Sequence, residues 1–542
     1  MLFNSYSFIF LFLPATCLAY LLVGRLQSRR ASLACLVLCS IIFYGVWNPL
    51  NLLVILPSIA INYGLALAIR TQVNRGNGGQ KAASVLLSLG VLFNLLFLGY
   101  FKYKNFFFDT SNSLVGTDFV LTAVILPLGI SFITFQKIAF LVDVRSETIK
   151  QFDAYDFLTF VFFFPQLIAG PIVHYREMMP QFDKLNYRLE PRDLAVGLSL
   201  FAMGLFKKVV LADGVAVHAS PVFAAADQGQ SIDFFAAWIG ALAYTFQMYF
   251  DFSGYSDMAI GLARLFGIKL PVNFNSPLKA SSMIDFWSRW HITLTRFLTA
   301  YLYTPVVMSL TRSRMKQRKP VITRQKPKLS AFLVLLAGPT VLTMVLSGFW
   351  HGAGFTFLLW GLLHGVYLCI NHAWRQWRPN WNKAEYERVM RPIGFVLTFT
   401  GVVLAMVLFR ARSVEAAGRI LHGMTGLDGA YLPNAIVSRL GAFGEALAHI
   451  GITGNGSSGA VFVVASAWLI VLFLIATRAP NTHDILRDFE PALHYTAPKK
   501  QQVNVSPLKL SLTPRWAAVI GVLFVLGAFG LNRVSEFLYW QF

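Results

Sequence analysis

Charge is scarce in this chain, and negative charge most of all. Asp and Glu number 25 against 46 Lys and Arg in 542 residues, and only 13% of positions are charged. That composition lies far from the soluble globular average. Cysteine is rarer still. The four present (Cys17, Cys35, Cys39 and Cys369) all fall inside apolar runs, which excludes a disulfide framework. Cys35 and Cys39 share a helix face, yet no other metal ligand stands nearby, so they read as small buried apolar residues. Zinc-type spacing of His, Cys, Asp or Glu is absent, as are a phosphate-cradling glycine loop and a G-x-S-x-G elbow. The first apolar run has neither a basic leader nor a small-residue cleavage site and reads as a retained span. Nor is there an internal repeat of the kind that marks many transporters.

What fills the sequence instead is hydrophobic, at 56% of residues. Long apolar runs lie near Phe8–Val23, Ala31–Val46, Leu52–Ile69, Ala82–Tyr100, Phe119–Val142 and Phe157–Val173. They continue near Leu194–Ala212, Phe234–Phe250, Phe332–Leu346, Phe355–Ile370, Ile393–Phe409, Val461–Ile475 and Trp516–Leu531. Since roughly 20 apolar residues cross the hydrocarbon, about eleven to thirteen transmembrane or re-entrant helices are expected. The fold class is therefore an all-α polytopic membrane protein. One integral-membrane domain is expected over 1–542, with N-terminal helices 1–173, a core 174–370 and C-terminal helices 371–542. The basic excess then marks loops held on the cytoplasmic side rather than a nucleic-acid surface. Arg312 to Lys328 carries eight basic residues and no acidic one, and it is expected inside the cell. Arg25–Arg30 and Arg70–Lys81 place the N-terminus outside by the same rule. Phe164-Pro165 and Gly170-Pro171 interrupt their run, which is expected to enter the membrane and turn back.

Three polar stretches break the apolar pattern. The first is Ser347-Gly348-Phe349-Trp350-His351-Gly352-Ala353-Gly354, where an ionisable side chain sits at membrane depth between glycines that admit close backbone approach. Histidine can take a proton from a hydroxyl, so His351 is expected to be a catalytic base within the bilayer, with Trp350 walling its pocket. The second is Gln247 to Asp257. A continuous helix puts Gln247, Asp251 and Tyr255 on one stripe. Asp251 and Asp257 either brace helix ends or line a polar cavity leading to His351. The third runs from Lys269 through Asn273 and Asn275 to Leu294. Ser281 or Ser282 caps a helix on which Asp285 and Arg289 pair at i, i+4, while Trp287, His291 and Thr295 form a separate face. His291 is either a hydrogen-bonded structural histidine or a second catalytic one. His364 is assigned to packing: thirteen positions after His351, it points roughly 140° away on one 3.6-residue helix.

A base that takes a proton from a hydroxyl or thiol works best with fixed donors around it in a desolvated pocket. His351 suits the first role. Asn273, Asn275, Tyr255 and Ser253 are the candidate donors, and nothing in the sequence chooses among them. A ping-pong route with a covalent intermediate on a partner's serine or on a tyrosine fits the same residues. The competing class is a transporter with His351 as a proton relay, which would more often carry paired intramembrane charges and repeat symmetry.

The motifs Tyr249-Phe250-Asp251-Phe252-Ser253-Gly254-Tyr255-Ser256-Asp257, Asn273-Phe274-Asn275-Ser276-Pro277, Asp285-Phe286-Trp287-Ser288-Arg289-Trp290-His291 and Gly348-Phe349-Trp350-His351-Gly352 resemble the membrane-bound O-acyltransferase superfamily. They look most like its bacterial alginate O-acetyltransferase branch. The opening Phe3–Phe10 and the closing Phe537–Phe542 resemble that branch too. The resemblance implies a shallow dish with a central tunnel, with 174–370 as catalytic core. It implies that His351 and His291 are the family's two characteristic histidines. Asp251, Ser253, Tyr255, Asn273, Asn275, Trp287, Arg289 and Trp350 then line the substrate site. It also implies an acyl thioester, acetyl-CoA or another, as donor substrate rather than a bound cofactor. An exported polysaccharide is the implied acceptor; peptidoglycan, teichoic acid and protein are the alternatives. The implied partner is a periplasmic SGNH-type transferase, and the implied location is the bacterial inner membrane. One departure stands out: Thr299-Ala300 occupies the place where this branch commonly has Arg-Asp.

Overall fold

The computed structural model describes residues 1–117, 126–185, 188–323, 326–493 and 508–532. Among them the chain is almost wholly helical. The exception is a short parallel ladder, Ala430–Pro433 against Ile452–Asn455, within the 412–459 loop. Eight helices are long and apolar enough to cross a membrane: Leu50–Asn74, Gln80–Val115, Pro191–Asp227, Leu329–His351, Phe355–Trp377, Lys383–Arg410, Gly459–Arg478 and Pro514–Asn532. A shorter apolar helix, Phe8–Gly24, precedes them. The protein is an all-α polytopic membrane protein.

Eight is fewer than the eleven to thirteen expected, and the difference has local causes. The run Ala31–Val46 yields a 17-residue helix, Arg29–Gly45, too short to count. The start of the Phe119–Val142 run lies outside the described residues, as do the closing Phe537–Phe542, His494 and Arg324. The run Phe157–Val173 breaks at Phe163, whose backbone leaves the helix at φ −52° and ψ 107° before the four-residue turn Phe164–Leu167. Pro165 can supply no amide donor to that turn. The freed N–H of Phe164 finds Ser40 Oγ at 3.1 Å, and Gln166 Nε2 donates to the Phe160 carbonyl at 2.6 Å. Irregular backbone survives here because buried side chains satisfy it.

The chain divides into two compact units, each built from non-contiguous segments. One comprises Met1–Phe206, Gly254–Asn273 and the described residues from Thr482 onward. The other comprises Lys207–Ser253 and Phe274–Asn481. The 32-residue helix Phe234–Leu265 gives its first part to one unit and its last part to the other.

In the first unit Phe3, Phe8, Phe43 and Phe164 interlock with ring centroids 5.0 to 6.3 Å apart. Lipid gives helices little hydrophobic reason to associate, so close backbone packing must serve. Helix Pro191–Phe206 accordingly meets the end of Phe234–Leu265 at Gly197 and Gly261, where a Cβ on Gly261 would lie 2.5 Å from the Gly197 carbonyl oxygen. Arg29 ties the edge together through Asp156 at 2.6 Å and Asp183 at 2.7 Å.

The second unit is built around the hairpin of Gly338–His351 and Phe355–Trp377. Its helices touch backbone to backbone, since a Cβ on Gly348 would lie 2.2 Å from the Phe357 carbonyl oxygen and one on Gly361 would lie 2.3 Å from that of Met344. Between them Gly352 and Gly354 are fully extended, with φ of −158° and −170°, so the first helix ends on His351 itself.

Candidate active site

Both histidines singled out from the sequence lie in the second unit, with ring centroids 6.3 Å apart. Helix Gly338–His351 positions His351 as its last residue, half-buried, against Trp350 at 4.8 Å, Trp360 at 5.3 Å and Phe409 at 5.3 Å. Phe409 arrives from the end of helix Lys383–Arg410.

His291 is held differently. The expected continuous helix through Thr295 does not form. Ser282 caps Met283–Trp287 by accepting from the Asp285 amide, the helix stops, and a second helix begins at Ile292. Between them His291 adopts φ 42° and ψ 52°, a left-handed conformation that costs a non-glycine residue roughly 1–2 kcal/mol. Strain of this kind persists only where the surroundings impose it. Here Phe252 meets the ring edge-on at 4.7 Å, Phe274 lies at 6.4 Å, and the residue is 1% exposed. Burial holds this imidazole well below the ordinary histidine range, so at neutral pH it is uncharged.

The remaining residues of the second unit divide by what they touch. Trp350 is buried, its ring 6.4 Å from His291 as well as against His351, so it walls both histidines. Ser253 is buried with no hydrogen-bond partner for its hydroxyl among the described residues. Trp287 donates its indole N–H to His364 Nδ1 at 3.3 Å. Arg289 pairs with Asp285 at 2.7 Å, as the spacing suggested, and donates to the Asn275 carbonyl at 3.3 Å. Asn275 accepts from Asn481 at 3.0 Å. These last residues hold the connector in shape. Asp251 pairs with Lys208 at 2.7 Å, and Lys208 also reaches Asp213 at 2.8 Å, all three nearly inaccessible. Lys208 was missed, although a lysine inside an apolar run was the signal that could have found it.

Tyr255 and Asn273 belong to the first unit. Tyr255 stacks on Phe3 at 4.9 Å, and Asn273 donates to Ser256 at 3.1 Å. The same unit buries a pair that sequence reasoning overlooked by placing His483 in a loop. Asp257 accepts from Thr482 at 2.7 Å and lies 3.4 Å from His483 Nε2. Asp257 lies inside helix Phe234–Leu265 rather than at its end, and its hydrogen-bond partner Thr482 stands 225 positions away.

His364 needs the plainest correction. His351 and His364 do not share one helix, because extended Gly352 and Gly354 separate two antiparallel helices, and the 140° offset does not apply. The fully buried His364 ring packs against Trp360 at 4.8 Å, and Trp360 packs against His351. Among the described residues no group of three His, Cys, Asp or Glu side chains is placed to hold a metal ion.

Residues 84–321 match the family model of the membrane-bound O-acyltransferases, a match that includes His291 and stops before His351. The peptidoglycan O-acetyltransferase of Helicobacter pylori is 40% identical over 462 residues, covering 80% of this chain and 81% of that protein. The probable alginate O-acetylase of Pseudomonas aeruginosa is 38% identical over 429 residues, 78% of this chain and 75% of that protein. A teichoic acid D-alanyltransferase of Streptococcus thermophilus is 28% identical over 293 residues, 52% of this chain and 68% of that protein. With relatives this similar over most of its length, the chain belongs to the membrane-bound O-acyltransferase family and is an enzyme rather than a transporter.

Proposed function

We propose that this enzyme moves an acyl group, acetyl in the simplest case, from a cytosolic thioester such as acetyl-CoA to a hydroxyl on an exported polysaccharide. It does so in the bacterial inner membrane and through a periplasmic SGNH-type transferase. The observation that carries this reading is the juxtaposition of His351 and His291, 6.3 Å apart inside an aromatic wall. The names of the relatives support the acceptor class. One acts on peptidoglycan and one on alginate. A third carries D-alanine to teichoic acid, so the acyl group varies among relatives.

In this reading His351 takes the proton of the attacking hydroxyl. The oxygen bonds to the thioester carbonyl carbon while the carbonyl electron pair moves onto its oxygen. Collapse of that intermediate breaks the C–S bond, and the leaving thiolate recovers the proton from His351. His351 is the last residue of its helix, where the carbonyl ends favour the transient imidazolium. Neutral His291 orients a substrate group without competing for the proton. Trp350 excludes water from both rings, and Ser253 offers a donor. Asp251, Asn275, Arg289 and Trp287 act one step back, by holding the elements that carry these groups.

A polymer has difficulty reaching an embedded imidazole, which is why a separate transferase completes the reading. The purified chain in vesicles with acetyl-CoA should hydrolyse the thioester slowly and acetylate no polymer, and adding the transferase should restore polymer acetylation. Efficient modification of a long glycan by the chain alone would remove the relay, and failure to consume any acyl thioester would remove the donor class. Orientation is tested separately. With the basic segment from Arg312 to Lys328 cytoplasmic, Gln317→Cys should resist impermeant thiol reagents in intact cells and react after lysis. Ready labelling in intact cells would invert the topology.

A further inference from the structure

Behind His351 the structure buries two N–H donors with nothing to receive them, one on the Trp360 ring against His351 and one on His364, which packs on Trp360. Trp360 is 2% exposed and His364 fully buried. Trp360 Nε1 and His364 Nε2 have no hydrogen-bond partner among the described residues. The hydrogen bond at the other end of the His364 ring settles its tautomer. Indole N–H can only donate, so the contact from Trp287 Nε1 requires His364 Nδ1 to be an acceptor. An imidazole that accepts at Nδ1 carries its proton on Nε2. Both orphan atoms are therefore donors.

Their placement is ordered rather than accidental. Trp360 and His364 stand at i, i+4 on helix Phe355–Trp377 and so share a face. Trp360 meets the His351 ring edge-on at 5.3 Å and 86°, and His364 packs against Trp360 at 4.8 Å. Phe286 stacks on His364 at 6.2 Å and 7°, which fixes the ring plane. Buried donors are paired almost without exception in folded proteins, and those left over mark a place where a partner arrives. Donors fixed in a water-poor site beside a general base are what an acyl-transfer transition state requires, because negative charge develops on the carbonyl oxygen.

We propose that Trp360 Nε1–H and His364 Nε2–H form the oxyanion site of this enzyme, receiving the carbonyl oxygen of the acyl thioester as it becomes tetrahedral. Trp287 is then a positioning residue: its N–H holds His364 in the tautomer that can donate. The assignment rests on the acyl-transfer reading above and names two groups that the sequence left out of the candidate donors. The step is the one already written. The hydroxyl oxygen forms the C–O bond, the carbonyl pair moves onto an oxygen held by the two N–H groups, and the C–S bond breaks as the pair returns.

The substitution that isolates one donor is Trp360→Phe, which keeps an aromatic ring against His351 and removes only the N–H and part of the indole. Single-turnover hydrolysis of acetyl-CoA and thermal unfolding are measured on the full chain in detergent. Loss of one oxyanion donor is expected to lower the rate about 100- to 1,000-fold with little change in KM. The lost N–H has no acceptor in the free protein, so any drop in unfolding temperature comes from the smaller ring's packing, and rates are compared well below that temperature, where both proteins are folded. His364→Gln, whose amide can accept from Trp287 and still donate, should keep more activity than His364→Leu. Wild-type rates in Trp360→Phe, or a rate loss that merely follows a lowered unfolding temperature, would overturn the assignment. If the wild-type chain consumes no acyl thioester, the acyl-transfer reading itself fails, and that outcome is distinct from a variant that matches an active wild type.

Discussion

His351→Ala should leave a folded, membrane-inserted protein that has lost acyl transfer by at least about a hundredfold, the usual cost of removing a general base. The fold should survive because the ring is half-buried at a helix end, where truncation opens space beside Trp350, Trp360 and Phe409 without stranding a charge. The hairpin that carries it is held by Gly348 and Gly361 contacts that the substitution does not touch. Thermal unfolding and thioester turnover should therefore separate: the first close to wild type, the second near background. His291 offers the contrast. Its ring is enclosed by Phe252 and Phe274, and its backbone is left-handed, so His291→Ala combines a cavity with strain. His291→Asn tolerates that backbone better and keeps a polar group. It should be the more stable of the two, with turnover reduced less than in His351→Ala. Near-normal turnover in His351→Ala would end the mechanism proposed here.

How much of this was legible beforehand depended on how far apart the partners lie. The two histidines, Trp350 and the Asp285–Arg289 pair could be read because each sits in a contiguous motif whose spacing carries the information. The membrane character was equally plain, since hydrophobic length is a local property. What could not be read were pairings across the chain. Trp287 meets His364 77 positions on, and Thr482 meets Asp257 across 225. No period or motif encodes such contacts. Local backbone was the second blind spot. Periodicity sees Ser282 to Thr295 as one helix, whereas the left-handed His291 ends one helix and starts another. Gly352 and Gly354 break the helix after His351, so a single helical wheel does not extend to His364. At Phe163 the apolar run likewise continues although the helix does not, so hydrophobic length alone does not distinguish a broken segment from a full span.

Lys208→Met should be strongly destabilising, at about 3–5 kcal/mol, because it strips the cation from two buried carboxylates. Lys208 sits in a π-helical turn, Lys207–Ala212, which places its ammonium 2.7 Å from Asp251 and 2.8 Å from Asp213. Each of the three side chains is no more than 8% exposed. Water cannot solvate the carboxylates once the lysine is gone, so at least one must take up a proton or the helices must part. Asp251→Asn is the gentler change. It leaves Lys208 paired with Asp213 and removes the surplus negative charge of a one-to-two cluster, so its cost should stay near about 1–2 kcal/mol. The order of the two variants, more than either value, distinguishes an ion cluster from simple packing: loss of methylene contacts alone would make Lys208→Met the milder one. Membrane yield and thermal unfolding in detergent measure it. The consequence reaches the site, because Asp251 immediately precedes Phe252, the ring that meets His291 at 4.7 Å. A helix released at Asp251 lets Phe252 move and His291 with it. Any residual Lys208→Met protein should therefore turn over thioester more slowly than Asp251→Asn, even at temperatures where both remain folded.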